Sequence, residues 1–477
     1  MDAKIRIQEL IDQKQHLFTN LSDRIWDFAE TRFDLDRSAT LLCDTLAKEG
    51  FRITRGLAGM DDAFIAEWGG GSPVIGILAE YDALANMSQK CDVPQPLPIE
   101  EGQNGHGCGH HLLGAGAAAG AVGIRDYMAE SGQNGTIRLF GCPAEESGYG
   151  KAFMARDGVF NDVDAMLTWH PMDFTGLWDF SSLAVFQSYF HFKGRAAHAA
   201  AAPEHGRSAL DAAELMNIGV NFLREHIIDE GRVHYAFTDA GGTSANVVQP
   251  TASLYYFVRA PKTEQAKGIY ERVVNIARGA ALMTDTELEI EFDSACASYL
   301  VNQRLGRVMY ENLKQVAPLV YTPEEMAYAG QFYDQLPDDT KGRIAEKTRY
   351  FMPGADADAV EAEARSPISR MLAPLLFPAK PMSGSTDVGD ASWVVPTATV
   401  VVTAAPNGTP AHSWQWVATG KSSIAHKGML AAGKTIAMTA FDLLCNPQIL
   451  TEARAEHDRS LGGKPYQSAI PPEVSPR

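Results

Sequence analysis

The sequence predicts an α/β catalytic domain built on a mostly parallel sheet and interrupted by a smaller α+β domain of the ferredoxin-like kind. Three observations predict it. Strand-like apolar runs alternate with helical stretches through Pro171, the order expected of parallel strands flanked by helices. From about Ala184 the texture shifts to alternating, half-exposed strands and two long helical stretches, a β-α-β-β-α-β-like order spread over roughly 110 residues. Past Asn302 helical texture returns, followed by one more buried strand and a long helix. The smaller unit is therefore read as an insertion, giving expected boundaries of 1–186, 187–297 and 298–477.

Taken in order, residues 4–30 have an amphipathic helical pattern, and Ser38 to Glu49 has another, closed by Gly50. FIAEWG (64–69) and PVIGILAEYDAL (73–84) read as adjacent buried strands ending in acidic residues. A polar, proline-containing loop from Ser88 to Asn104 leads into GHGCGHHLLGAGAAAGAVGIRDYM. Its small-residue part, Leu112 to Ile124, reads as a tightly packed helix whose N-terminus faces the cluster before it. TIRLFGCPAEES (136–147) and DAMLTWHP (164–171) are strands running into loops. In parallel sheets, functional groups collect just beyond the carboxyl ends of strands.

In the inserted unit FQSYFHFKG, TASLYYFVRAP and TELEIEFD are strands, while SALDAAELMNIGVNFLREHI and TEQAKGIYERVVNIARGAAL are helical. TATVVVTA and a helix near 424–445 complete the catalytic domain. Residues 322–380, acidic and broken by prolines, give no assignable pattern, and the tail after Leu461 is expected to be loosely ordered. There is no internal repeat.

Of the 477 residues, 41 are Lys or Arg and 59 are Asp or Glu, a formal charge of −18. That balance opposes nucleic-acid binding, which needs clustered cations, and leaves open an anionic small substrate. At 45% hydrophobic and 21% charged, the composition suits a globular protein with more than one core. The N-terminal MDAKIRIQELIDQKQHLF lacks the apolar stretch of a secretory signal. No run of about 18 apolar residues predicts a membrane span. The six cysteines (43, 91, 108, 142, 296, 445) are scattered, unlike a disulfide framework, so a reducing, cytoplasmic compartment is expected.

The strongest chemical signal is His106-Gly-Cys108-Gly-His110-His111. Imidazole and thiolate are preferred ligands of zinc and related ions, and the glycines let the backbone curl round one centre. The bland reading is a glycine-rich turn; three His and one Cys in six residues speak for metal. Glu145-Glu146 follows a strand, and adjacent carboxylates can divide the work of holding metal and moving a proton, although acidic pairs in loops are usually solvated surface. His170 ends a strand and His412 lies in TPAHSWQWV; each could equally be a hydrogen-bonded structural histidine. On sequence alone His198 reads as an exposed loop histidine, Asn246 as a turn residue and Arg259 as a solvated strand end.

Together, EYDAL, GHGCGHH, the PAEES pair, TWHP, RAAHAAAAPEHGRSALDA, GGTSANVVQP and HSWQWV occur in the order seen in the amidohydrolase branch of the aminoacylase and carboxypeptidase metallopeptidases. The chain resembles that family over nearly its whole length. The resemblance implies a zinc-peptidase-like catalytic domain, with the insertion as a lid and dimerisation domain. It implies two divalent metal ions in each protomer, Mn or Zn, held by Cys108, His110, Glu146, His170 and His412. Glu145 would be the general base, and His198 would reach the developing oxyanion, in the other protomer's site. Asn246 and Arg259 would hold the substrate's polar end or orient His198, and Ser385 and Thr386 would line the pocket.

The implied reaction is hydrolysis of an N-acyl amino acid, with aminobenzoyl-glutamate as the expected substrate. The alternatives are another acyl or aryl conjugate, such as an indoleacetyl amino acid, or a metal-binding subunit that needs a partner chain for activity. The expected assembly is a homodimer or a hetero-oligomer with a related A-type subunit. Two departures stand out. Many relatives place His-x-Asp where this chain has Glu80-Tyr81-Asp82, which leaves Asp82 to orient a ligand. His111 stands where Asp or Asn is usual, and its role is left open.

Overall fold

The computed structural model describes residues 2–477 and contains eleven strands. They are β1 (Arg52–Leu57), β2 (Met60–Gly70), β3 (Val74–Ala79), β4 (Gly135–Gly141), β5 (Ala165–Met172), β6 (Gly176–Leu177), β7 (Ala184–Lys193), β8 (Arg232–Asp239), β9 (Thr251–Ala260), β10 (Glu287–Cys296) and β11 (Thr397–Thr403). The larger sheet has the order β1-β2-β4-β3-β5-β11-β6. Its central strands β4, β3, β5 and β11 run parallel, and β1, β2 and β6 add antiparallel edges. Every residue of β11 is buried, as are the last five of β3, the continuous apolar run expected of strands covered on both faces.

FIAEWG and PVIGILAEYDAL are not neighbours in the sheet, as their closeness in sequence suggested. β4 lies between them, pairing parallel with β3 and antiparallel with β2. The His110–Ser131 helix is the crossover that returns the chain to β3's side, and such a βαβ connection sets down its second strand next to the first.

That helix is almost wholly buried and packs against the Ser423–Cys445 helix. Its small residues permit the close approach: a Cβ at Gly120 would lie 2.8 Å from Ile436 Cγ2. Ser423–Cys445 is long and apolar enough to cross a membrane by length and composition, but 72% of its most apolar window is buried in this packing. The N-terminal helical pattern breaks at Lys14 into Ala3–Gln13 and Gln15–Phe28.

The second sheet has the order β10-β7-β9-β8, antiparallel throughout, with the Ala209–Leu223 and Thr263–Thr284 helices packed on it. This is the β-α-β-β-α-β arrangement read from the sequence. β9 alternates buried and half-buried along its length, so one face meets the helices and the other stays open.

Two segments are more ordered than their sequence suggested. Residues 322–380 hold three helices, Pro323–Tyr333, Asp338–Phe351 and Ala357–Ala364. Each buries only two or three residues, which is why no clear apolar period announced them. The first opens on a reciprocal cap between Thr322 and Glu325. The tail after Leu461 has no regular structure but is docked: Ile470 is buried, Tyr466 Oη donates to Asp390 Oδ1 at 2.6 Å, and Arg156 donates to the Val474 carbonyl at 2.6 Å.

Candidate metal centre

Four of the parallel strands deliver the site at their carboxyl ends. β3 is followed by Glu80 and Asp82, and β4 by Glu145 and Glu146; β5 carries His170, and the loop after β11 carries His412. Cys108 and His110 arrive with the turn that starts the long helix, where Gly109 has φ 78°. A side chain at Gly109 would be strained there and would meet Pro171 at 2.8 Å. His412 itself has φ 53°, uncommon for a residue with a side chain and a mark of a constrained loop.

The donor atoms of Cys108, His110 and His170 lie within 4.8 Å of one another, as do those of Cys108, Glu146 and His412. Cys108 belongs to both groups. Its Sγ is 3.6 Å from His170 Nε2, and His412 Nε2 is 3.4 Å from Glu146 Oε2. His110 Nε2 and Glu146 Oε1 are buried without hydrogen-bond partners and 3.9 Å apart. Orphaned buried polar atoms of this kind need a partner, and a divalent cation among Cys, His and carboxylate donors supplies one. The residues fit the expected two-ion set.

Asp82 ties the groups together. Its Oδ1 accepts from His110 Nδ1 at 2.8 Å and its Oδ2 from the Glu146 amide at 2.9 Å, turning His110 Nε2 into the site. His170 is fixed in the same manner by a hydrogen bond from Nδ1 to the Pro171 carbonyl at 2.8 Å.

The electrostatics follow from burial and crowding. Burial and the neighbouring His110 lower the His170 pKa to about 4, and burial with the Glu146 charge raises the Cys108 thiol well above its usual range. Burial opposes ionisation of Glu146, but the His412 hydrogen bond and the His110 and His412 charges outweigh it and hold that carboxyl at about 2. Glu145 goes the other way, raised by burial and by the charges of Glu80 and Glu146.

His106 and His111 stay out of the centre. Their rings pack against each other with centroids 4.8 Å apart; His106 Nε2 bonds to the Ile25 carbonyl and His111 Nε2 to the Gly420 carbonyl, each at 3.0 Å. The pair therefore ties the start of the long helix to the N-terminal helices through His106 and to Gly420 through His111.

Arg259, on β9, reaches the catalytic body: its Nη1 donates to Ser385 Oγ at 3.1 Å, while its Nε is buried without a partner. Thr386, next to Ser385, accepts from the Val388 amide. His198 and Asn246 lie on exposed loops of the inserted unit and make no contact with the metal-donor groups; they pair locally, through the Ala199 amide on the Asn246 carbonyl.

Sequence reasoning missed three fully or almost fully buried charges beside the centre: Glu80, Lys151 and Asp387. Glu80 was visible only as the departure from His-x-Asp, and Lys151 in GYGKAFM carried no signal at all.

The pattern of peptidase family M20/M25/M40 matches residues 76–415. The chain belongs to this family. Over 472 residues, 98% of each chain, this M20 protein is 44% identical to the B subunit of p-aminobenzoyl-glutamate hydrolase from Escherichia coli K12. It is 26% identical to the mouse Xaa-Arg dipeptidase over 95% of its own length and 91% of that protein. Among solved structures, an aminobenzoyl-glutamate utilization protein from Klebsiella pneumoniae superposes with a TM-score of 0.59 at 18% identity, covering 92% of this chain and 98% of the other. A dinuclear metal-binding M20 peptidase from Bacillus subtilis gives 0.53 at 18% identity, covering 91% and 99%. Together with the donor groups, the family makes this M20 chain a metallo-amidohydrolase.

Proposed function

We propose that this enzyme cleaves the amide bond of an N-acyl amino acid, with aminobenzoyl-glutamate as substrate and aminobenzoate and glutamate as products. The chemistry rests on one observation, the two donor groups that share Cys108; the substrate rests on the likeness to the B subunit of the E. coli hydrolase.

Cys108, His110, Glu146, His170 and His412 would hold two ions, zinc or manganese. Such a pair supplies Lewis acidity toward a carbonyl oxygen and makes water nucleophilic near neutral pH. Glu145, buried beside the donors, takes the proton of the attacking water on its carboxylate and passes it to the departing amine. Arg259, with its buried unpartnered Nε, binds the carboxylate of the amino-acid product, which is the cation an acidic substrate requires. Ser385 and Thr386 line that end of the pocket.

Residues 187–297 serve as lid and dimerisation domain, and His198, oriented by Asn246, completes the partner's site as an oxyanion donor. Ile218, Phe222, Leu282 and Met283 on the two helices of this domain are exposed, an apolar face that association would cover. The partner is a second copy or a related A-type chain: the sequence also resembles the A subunit of the E. coli hydrolase, 29% identical over 239 residues that span 47% of this chain and 53% of that one. A thiolate ligand and free cysteines throughout suit a reducing, cytoplasmic setting.

The test is release of glutamate by the purified chain supplied with manganese or zinc, across matched glutamate, aspartate and neutral amides of aminobenzoate. Glutamate should be preferred, and Glu145→Gln should abolish turnover with metal still bound. Indifference to the side-chain carboxylate would exclude the proposed substrate, and normal turnover by Glu145→Gln would remove Glu145 as the base.

A further inference from the structure

Lys151 is the only fully buried lysine among the described residues, with no exposed side-chain surface. It sits in the first turn of the Gly150–Arg156 helix, between two carboxylates brought in from distant parts of the chain. Its Nζ is 2.6 Å from Asp387 Oδ1 and 2.8 Å from Glu80 Oε1, and its own amide donates to Asp387 Oδ2 at 2.8 Å. Glu80 is 2% exposed and Asp387 wholly buried. Burying three charges is costly unless their geometry is well matched, so an arrangement this close to a metal centre has something to accomplish there.

Glu80 shows what that is. One of its oxygens is held by Lys151; the other, Oε2, is 3.4 Å from His110 Nε2, the orphaned donor atom of the metal centre. Glu80, His110 and Glu145 form a third group of donor atoms within 4.8 Å of one another. A carboxylate so placed is a competent ligand for a hard or borderline cation. If it bound, it would add a protein donor to a site whose chemistry depends on a coordination position left open. The lysine is the competing cation.

We infer that Lys151 is a positioning residue that keeps Glu80 out of the ligand set, with Asp387 neutralising and orienting the lysine. The inference rests on the two-metal reading above. Glu80 is then a carboxylate within reach of the metal centre but withheld from it. Lys151 replaces the metal as its counter-charge, and the open position next to His110 is preserved.

The experiment compares cobalt(II) binding and turnover in wild type, Lys151→Met/Asp387→Asn and the same pair with Glu80→Gln. Changing Lys151 with Asp387 avoids stranding a second buried carboxylate, and the side-chain carbonyl introduced by Asp387→Asn can still accept from the residue 151 amide. With Glu80 released, cobalt should bind about 10-fold tighter and its visible ligand-field absorption should fall as the coordination number rises. On the assay substrate kcat should drop roughly 100-fold with KM little changed, the signature of a lost reactive position rather than lost binding. Adding Glu80→Gln should return the cobalt spectrum to the wild-type form and recover about 10-fold or more of kcat.

Identical cobalt spectra for all three proteins would overturn the inference, as would a kcat loss that Glu80→Gln does not relieve. A fourth protein, Glu80→Gln alone, should bind cobalt as wild type does; weaker binding would also overturn the inference, by showing Glu80 to be a native ligand. The cobalt spectra need no substrate. A failure of the proposed hydrolysis would leave them readable, and a failure of the spectra would leave the hydrolysis standing.

Discussion

Asp390 has both carboxylate oxygens engaged inside the protein, one by Tyr466 Oη at 2.6 Å and the other by the Ala297 amide at 2.9 Å. Burial dominates over these bonds and pushes its pKa from 3.8 up to about 7. The folded state thus keeps a proton that the unfolded chain gives up near pH 4. The stabilisation carried by the protonated carboxyl is complete below about pH 4 and is lost as pH rises through about 7. Asp390→Asn fixes the neutral form and can donate to Tyr466 while accepting from Ala297. Urea unfolding at about pH 4.5, 6 and 8 should show a smaller decline in stability with pH for the variant, and a variant at least as stable as wild type at the highest pH. Parallel pH profiles for the two proteins would show that Asp390 is ionised throughout.

At the scale of elements, the loop after β11 that carries His412 is held by segments far from it in sequence. Asp173, just past β5, accepts from the Gly408 amide at 2.8 Å and from Lys347 Nζ of the Asp338–Phe351 helix. Asn407 donates to the Glu363 and Ser366 carbonyls, and Gly408 packs against Ile344 and Leu336. The helices of 322–380 are therefore the outer support of the loop that carries His412, and Asp173 couples that loop to the strand bearing His170. Asp173→Ala should weaken binding of one of two ions about 10-fold, read by calorimetric titration, and lower stability by about 1–3 kcal/mol. Unchanged binding of both ions would mean the loop is held without Asp173. The same contrast explains what the sequence could reveal. Cys108 and His110 were legible because their chemistry is packed into six residues, and β3, β4, β5 and β11 because buried parallel strands are continuously apolar. The Lys151–Asp387 and Asp173–Gly408 pairs join residues more than 230 positions apart. No local spacing records such partners, and a single buried lysine looks like any surface lysine until the fold surrounds it.

For the whole molecule, the two sheets are joined within one chain at the side where the substrate's carboxylate is proposed to bind. Arg259 bonds to Ser385, Arg32 to Asp293, and the C-terminal segment runs between the body and the inserted unit, ending with Arg477 against Glu291 at 3.0 Å. Arg259 thereby faces the Ser385–Thr386 segment of its own chain. His198 does not: it is exposed, its Nδ1 accepts from the Ala200 and Ala201 amides, and its neighbours are its own loop and the Asn246–Val247 segment. If His198 acts at the oxyanion as proposed while staying outside its own chain's centre, a partner supplies it. On the proposed homodimer, each site then draws Glu145 and Arg259 from one protomer and His198 from the other. Glu145→Gln and His198→Ala should each be inactive alone. Unfolded together and refolded as a mixture, they form heterodimers in which one site carries both defects and the other carries none. At equal ratio about half the dimers are mixed, so about a quarter of wild-type activity per site should return. Size-exclusion chromatography of the mixture verifies the dimer, and glutamate release measures the recovery. Recovery of nothing would place His198 in the site of its own chain, reached by a closing of the inserted unit over the body.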